Sequence, residues 1–260
     1  MVAFTKWALA AYGPPVVLIV ALILLWEVYV NATDIATYKV PAPSEIWSAF
    51  LEDKGELPDH IRTTALEAGI GLVVAAIVGV GFAALIASIP LARRVIYPVL
   101  VTSQTIPMVV LAPLLIIGFG LGLTPKVIIV ALVAFFPIVV STTDGLMSAD
   151  RDMVDLVRSM GGRQWQVLRH VRIPAATPPF FSGLKLAAAY VVVGAVIAEW
   201  SGASSGLGLF VERSRRSFNT ESVFVGIVVI ALMTMVLFWA VHLLARLASP
   251  WMYAQDTEDR

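Results

Sequence analysis

The chain has 260 residues, 59% hydrophobic and only 14% charged, with 18 basic residues balancing 18 acidic ones. A water-soluble domain is about half apolar and about a quarter charged. A mean hydropathy of +0.87 therefore calls for a lipid bilayer as part of the solvent. Zero net charge gives no basic surface for nucleic acid, and the absence of cysteine excludes disulfides, thiol catalysis and cysteine-ligated metal.

Six segments approach the roughly 20 apolar residues that a spanning helix needs, so the sequence predicts an all-α integral membrane protein. The first covers residues 12–30. Its apolar run follows Lys6 and has no small-residue cleavage site before Asn31, which reads as a retained anchor and not a signal peptide. Glu27 beside Trp26 reads as an interface residue. The connection 31–61 carries Pro41, Pro43, Ile46, Trp47, Phe50 and Leu51, a pattern for a short interfacial helix outside the membrane with Ser44 as its N-cap.

The second segment, 64–89, is crowded with Gly69, Gly71, Ala75, Ala76, Gly79, Gly81, Ala83 and Ala84, which suits close helix packing in lipid. The third, 95–119, is broken by Pro98, Pro107 and Pro113. Broken backbone at membrane depth is tolerated where protein or a watery cavity satisfies the freed groups. Its polar patch, Ser103, Gln104 and Thr105, would either bond between helices or line a solute pathway. Lining is the reading adopted, and Met108 and Glu199 complete the candidate pathway set. The remaining segments are 125–142, 180–200 and 223–247. Glu199 ends the fifth beside Trp200, either as a gate or scaffold residue or as a solvated acid at the interface. Lys185, near the other end of that segment, is expected to snorkel.

Domain organisation follows: an anchor and interfacial helix over 1–61, a permease-like core over 62–250 with a long loop at 144–179, and a tail at 251–260. That loop carries Arg151, Arg158, Arg163, Arg169 and Arg172, and Arg93 and Arg94 share its side. The other side holds Lys39, Lys54, Arg62, Lys126, Arg213, Arg215 and Arg216. The arginine-rich loop places both termini in the cytoplasm by the positive-inside rule.

Within the loop, Met153, Leu156, Val157 and Met160 recur at helical spacing. Gly161-Gly162 interrupts them, and a second short amphipathic piece with Trp165, Val167, Leu168 and Val171 ends at Ile173-Pro174. Helix, glycine turn and helix make a docking knob. His60, His170 and His242 are too scattered for a metal site. Gly118 to Gly122 lacks the flanking strand of a phosphate cradle, so an outer turn is expected there.

These residues resemble the cytoplasmic loop of binding-protein-dependent ATP-binding-cassette importer permeases, whose pattern runs Glu-Ala-Ala, Gly, then hydrophobic-Leu-Pro. Here Asp155-Leu156-Val157, Gly161, Val171 and Ile173-Pro174 occupy it, with Asp for Glu and larger residues for both alanines. Val40 to Ser44, Gln104 to Pro107, Ala112 to Leu115, Gly118 to Gly122, Phe135-Phe136-Pro137, Glu199-Trp200, Gly202 to Ser204 and Gly206-Leu207-Gly208 are similar to one branch of that family. The branch comprises sulfonate, taurine, nitrate and bicarbonate permeases. The stretch from Ser103 and the one around Glu199 lean to its vitamin-type members, importers of thiamine-precursor pyrimidines or riboflavin.

The resemblance implies the type I importer fold with a cytoplasmic coupling helix, in a bacterial or archaeal inner or plasma membrane. It implies a second permease copy, an external solute-binding protein, and a cytoplasmic ATPase dimer that holds ATP and magnesium. The ATPase would be met through Asp155, Leu156, Val157, Met160, Gly161, Gly162, Trp165 and Pro174. The chain has no Gly-rich phosphate loop ending in Lys-Ser or Lys-Thr, so no cofactor and no enzymatic activity of its own are expected. A membrane enzyme would need convergent His, Asp, Glu or Ser groups, and none converge. A secondary transporter would need internal repeats and coupling charges in the membrane.

Overall fold

The computed structural model describes residues 2–33 and 35–250, with side chains from residue 13 onward, so the expected tail at 251–260 lies outside the described residues. The described chain is helical throughout: α1 (Val2–Thr33), α2 (Pro43–Asp53), α3 (Leu57–Ser88), α4 (Pro90–Ser103), α5 (Met108–Phe119), α6 (Leu123–Met147), α7 (Arg151–Ser159), α8 (Gln164–Val167), a π-helical turn (Leu168–Arg172), α9 (Ile173–Trp200), α10 (Leu207–Arg216) and α11 (Thr220–Ala248). Among the described residues five helices are long and apolar enough to cross a membrane, and α4 with α5 makes a sixth if the bent pair is one span. The chain divides into two compact units, one made of residues up to Pro58 with Phe210–Val228, the other of Asp59–Leu209 with the chain from Val229.

In the first unit, Glu27 of α1 is more than an interface acid. Its carboxylate accepts from the Ser44 backbone N–H at 3.0 Å, the Ser44 hydroxyl at 2.8 Å and the Asn31 amide at 3.1 Å. This corrects the expected cap of α2. The N-cap residue is Ala42, Pro43 occupies the first helical position where its missing N–H costs nothing, and Ser44 gives its N–H to Glu27. The far end of α2 is tied to α11, where the Ser222 hydroxyl donates to Asp53 at 2.7 Å and that of Thr220 donates to the Tyr38 carbonyl at 2.7 Å.

In the second unit the small residues act as expected from their spacing. A side chain at Gly71 would overlap Val130, and one at Gly79 would meet Ile138 at 2.9 Å. Glu67 bonds Lys126, 59 residues on, and the two glycine contacts repeat that offset. Helices α3 and α6 are therefore parallel and in register. On the other face of α6, Gly145 packs on Pro179, Gly183 on Pro137 and Ser141, and Gly194 on Val130 and Val133. Helix α9 is thus antiparallel to α6, and these close approaches replace the hydrophobic driving force that lipid does not supply. The core joins Ala68, Leu72, Val130, Ile138, Leu184, Ala188, Val191 and Val241 from α3, α6, α9 and α11.

Parallel α3 and α6 fix the path of the broken segment. The chain leaves α3 at its C-terminal end and re-enters at the N-terminal end of α6, so α4 and α5 carry it back across the same layer. Leu100 of α4 packs with Ile86 and Val139, while Ala112 of α5 packs with Ile129 and Ala198 at the opposite end. The broken segment expected over 95–119 is two helices bent by 100°, and the first of them begins earlier, at Pro90. The break falls at Gln104–Pro107, because Pro107 lacks an N–H and forces the preceding residue out of helical geometry. Pro98 and Pro113 sit inside α4 and α5 without ending them. Pro174, expected to end the second loop helix, instead lies in the first turn of α9. The π-helical turn before it, with Ile173 N–H bonded to the Leu168 carbonyl, shifts the ladder where proline cannot donate.

Candidate functional site

Three constellations in the second unit carry the candidate residues. The first is the knob. Asp150 caps α7 through its carboxylate, which accepts the Asp152 N–H at 2.9 Å. At the other end Gly161 N–H bonds the Arg158 carbonyl and Gly162 N–H the Val157 carbonyl, both at 2.9 Å. This is a Schellman close with Gly161 in the left-handed region at φ +80°. A Cβ added at Gly161 would meet nothing within 4 Å, so the constraint there is conformational. The steric constraint belongs to Gly162, whose added carbon would sit 2.5 Å from the Val157 carbonyl.

The knob has two faces. Val154, Val167 and Val171 are buried together, with Val157 packed against them. Met153, Leu156, Met160 and Trp165 point outward, 50, 54, 79 and 63% exposed. The sequence stripe thus divides between an internal seam and a free apolar face. Asp155 is exposed and stands 3.6 Å from Arg158, a pair too open to water to contribute much.

The second constellation is the α4–α5 bend. Ser103 and Thr105 donate their hydroxyls to the Leu100 and Thr102 carbonyls, each at 2.7 Å, and so patch their own broken turn. Gln104 is exposed at the C-cap of α4 and Met108 opens α5 half-buried. A cavity of about 400 Å³ beside the bend is lined by Pro98, Val99, Thr102, Ser103, Thr105 and Ile106.

The third constellation surrounds Glu199, which is 1% exposed and no solvated interface acid. Its Oε1 accepts from the Thr64 hydroxyl at 2.6 Å and its Oε2 from Gly208 N–H at 2.5 Å. Thr64 in turn accepts Leu207 N–H at 2.8 Å, and His60 Nδ1 accepts Gly206 N–H at 2.9 Å. Trp200 donates Nε1–H to the Gly208 carbonyl at 3.1 Å. The segment Gly206–Gly208 is thereby clamped onto the first turns of α3 and the last turn of α9. The glycines explain themselves: a side chain at Gly206 would run into the Glu199 carboxylate, and one at Gly208 would sit 2.6 Å from the Val196 carbonyl.

Adjacent to it lies the buried Lys126–Glu67 pair at 2.6 Å, 9 and 2% exposed. Lys126 is therefore part of the core, not a loop charge. Glu67, Thr64, His60 and Lys126 were not among the candidates from sequence. A charge inside an apolar span was the available signal, and Glu67 carried it. Glu199 meets these residues, whereas Ser103, Gln104 and Thr105 gather separately at the bend.

In the first unit, Arg215 donates Nε–H and an Nη–H to Glu212, and Arg216 donates Nε–H, all at 2.8 Å. The two bonds from Arg215, then the one from Arg216, hold the Glu212 carboxyl down to about 2.

A helical bundle with a broken span, small-residue seams and a capped knob with a free apolar face has the architecture of a transporter's membrane subunit. The family described as "Binding-protein-dependent transport system inner membrane component" matches residues 71–252, and the chain belongs to it: it is a multi-pass permease of the ATP-binding-cassette importer type. Among its relatives, the formylaminopyrimidine transport permease ThiX of Halalkalibacterium halodurans is 32% identical over 91% of this chain and 95% of its own. The riboflavin transport system permease RibX of Chloroflexus aurantiacus is 33% identical over 93 and 90%. The putative aliphatic sulfonates permease SsuC of Bacillus subtilis is 28% identical over 88 and 84%. A chain of the solved inward-facing MetNI methionine transporter shares the fold, with TM-score 0.63 and 16% identity over 72% of this chain and 93% of that one. ATP hydrolysis in this family is the work of partner subunits, and solute arrives from a binding protein.

Proposed function

We propose that this chain forms, as a homodimer, the pathway of an importer for a small vitamin-type solute, a thiamine-precursor pyrimidine or riboflavin, and that α7 and α8 dock the cytoplasmic ATPase. The observation that carries the docking role is the free apolar face of Met153, Leu156, Met160 and Trp165 on a pair of short helices whose other face is buried. Such a patch outside the apolar spans marks a protein partner. Asp155, Val157, Gly161, Gly162 and Pro174 then shape and orient the knob. ATP and magnesium reside on the partner. Both termini lie in the cytoplasm, because the arginine-rich loop does. The bend residues Ser103, Gln104, Thr105 and Met108 line the pathway, while Glu199 acts as scaffold at its outer end. The solute reading is favoured by relatives bearing pyrimidine and riboflavin names. Sulfonate- or taurine-like anions are the alternative that other relatives support.

Two measurements test this. Leu156→Asp with Met160→Asp should leave the permease inserted and reduce recovery of the ATPase on purification, and unchanged recovery refutes the docking role. Calorimetry of the cognate binding protein against thiamine-precursor pyrimidine, riboflavin and taurine should show binding to one of the first two, and taurine alone overturns the vitamin reading.

A further inference from the structure

At the end of the second unit that bears the knob lies a cavity of about 1020 Å³, between the close of α3, the start of α4, the close of α6 and α8. A cavity this size is at the upper end of what small-molecule sites occupy. Arg93, Arg94 and Arg172 stand on its wall, and among the described residues none of the three is within salt-bridge distance of a carboxylate. Asp144 is the acid on the same wall, so the cavity keeps an excess of two positive charges. Like charges gathered around one hollow repel each other unless an anion is present.

Tyr97 and Trp165 supply amphipathic walls, of the kind that sits at a headgroup boundary. Pro90 opens α4 at this edge, which adds free N–H groups and the positive end of a helix of 14 residues.

From this wall we infer that the cavity is a binding site for a phosphate-bearing anion, gripped by the guanidinium forks of Arg93, Arg94 and Arg172. Guanidinium groups match phosphate bidentately. The phosphate belongs either to an anionic lipid headgroup or to a soluble phosphorylated compound, and one chemistry serves both. Occupancy would brace α4 against α8, the second helix of the knob, so the site is placed to tune docking. The site itself rests on the cavity and its wall and does not depend on which solute is carried.

The test uses the full-length chain purified in zwitterionic detergent, titrated either with short-chain phosphatidylglycerol or with pyrophosphate at constant ionic strength, reading the midpoint of thermal unfolding. Saturable stabilisation by at least one probe is expected. Phosphatidylglycerol alone assigns a lipid headgroup, pyrophosphate alone a soluble compound, and both together the phosphate group itself. Arg172→Gln and the Arg93→Gln, Arg94→Gln pair should weaken apparent affinity at least tenfold. Arg169→Gln, an equal charge loss off the cavity wall, should leave affinity unchanged. No saturable shift with either probe, or equal weakening by Arg169→Gln, overturns the site.

Discussion

Replacing Glu199 separates a scaffold from a solvated acid. Glu199→Ala removes the acceptor that Gly208 N–H meets at 2.5 Å, and a buried orphaned N–H costs about 1–3 kcal/mol. The Thr64 hydroxyl suffers less, because it can turn to the His60 carbonyl at 3.2 Å. The truncated side chain also leaves a hole lined by Gly206 and Gly208, which adds about 1–2 kcal/mol. The expected total is about 2–5 kcal/mol. Glu199→Gln is milder, about 1 kcal/mol, because its carbonyl still accepts from Gly208 while its amide donates to Thr64. At about 2–4 °C per kcal/mol for a chain of this size, the alanine variant should lose roughly 10 °C in the midpoint of heat-induced loss of the monodisperse chromatographic peak. The glutamine variant should stay within about 4 °C. An alanine variant indistinguishable from wild type, or a glutamine variant as poor as alanine, would refute the acceptor role.

Gly161→Ala should cost about 1 kcal/mol through its positive φ alone, whereas Gly161→Glu should insert normally yet lower ATPase recovery and solute-stimulated hydrolysis; normal recovery with normal hydrolysis removes the glycine from the contact. Gln104→Leu should cut uptake several-fold while leaving assembly intact, as measured by transport against complex yield, and wild-type transport makes Gln104 a packing residue. Single cysteines at Ser148 and Ser204 should label from opposite faces of the membrane, and labelling of Ser148 from outside intact cells reverses the orientation. For Glu212 the folded value of about 2 lies below the ordinary 4.5. Its pairing with Arg215 and Arg216 is therefore fully present above pH 4.5 and lost as pH falls through about 2. A carbon NMR titration of the Glu212 carboxyl with its midpoint near 4.5 contradicts that clasp.

The spans were legible because lipid imposes a length and a composition on any helix that crosses it. Their ends were less so. Helix α3 begins at Leu57, not near 64, because Asp59, His60 and Arg62 can continue a helix beyond the apolar run, and hydropathy does not see polar turns. The bend at Gln104–Pro107 was legible from its proline, but the 100° angle was not, since it depends on where α4 and α5 find partners in α3, α6 and α9. The knob was legible as a helix, a glycine turn and a helix. Periodicity alone could not say which of its apolar residues face inward, and the structure turns Val154, not Met153, to the seam.

The clamp was hidden for a different reason. Its members come from 60–67, 126 and 199–208, and each segment alone admits a bland reading: a loop histidine, a loop lysine, an interface acid. Only the parallel register of α3 on α6 brings Glu67 to Lys126, and only the antiparallel register of α9 on α6 brings Glu199 to the same end. The two registers are set by Gly71, Gly79, Gly145, Gly183 and Gly194, so the glycines that look like generic membrane packing also determine which charges meet. The same α6–α9 pair ends, on its other side, in α7 and in the π-helical turn that follows α8. Knob and clamp are therefore opposite ends of one tightly packed helix pair. A shift of α9 along α6 would have to break glycine contacts at all three positions together, so the packing opposes sliding between the two helices that join the knob to the Glu199 end.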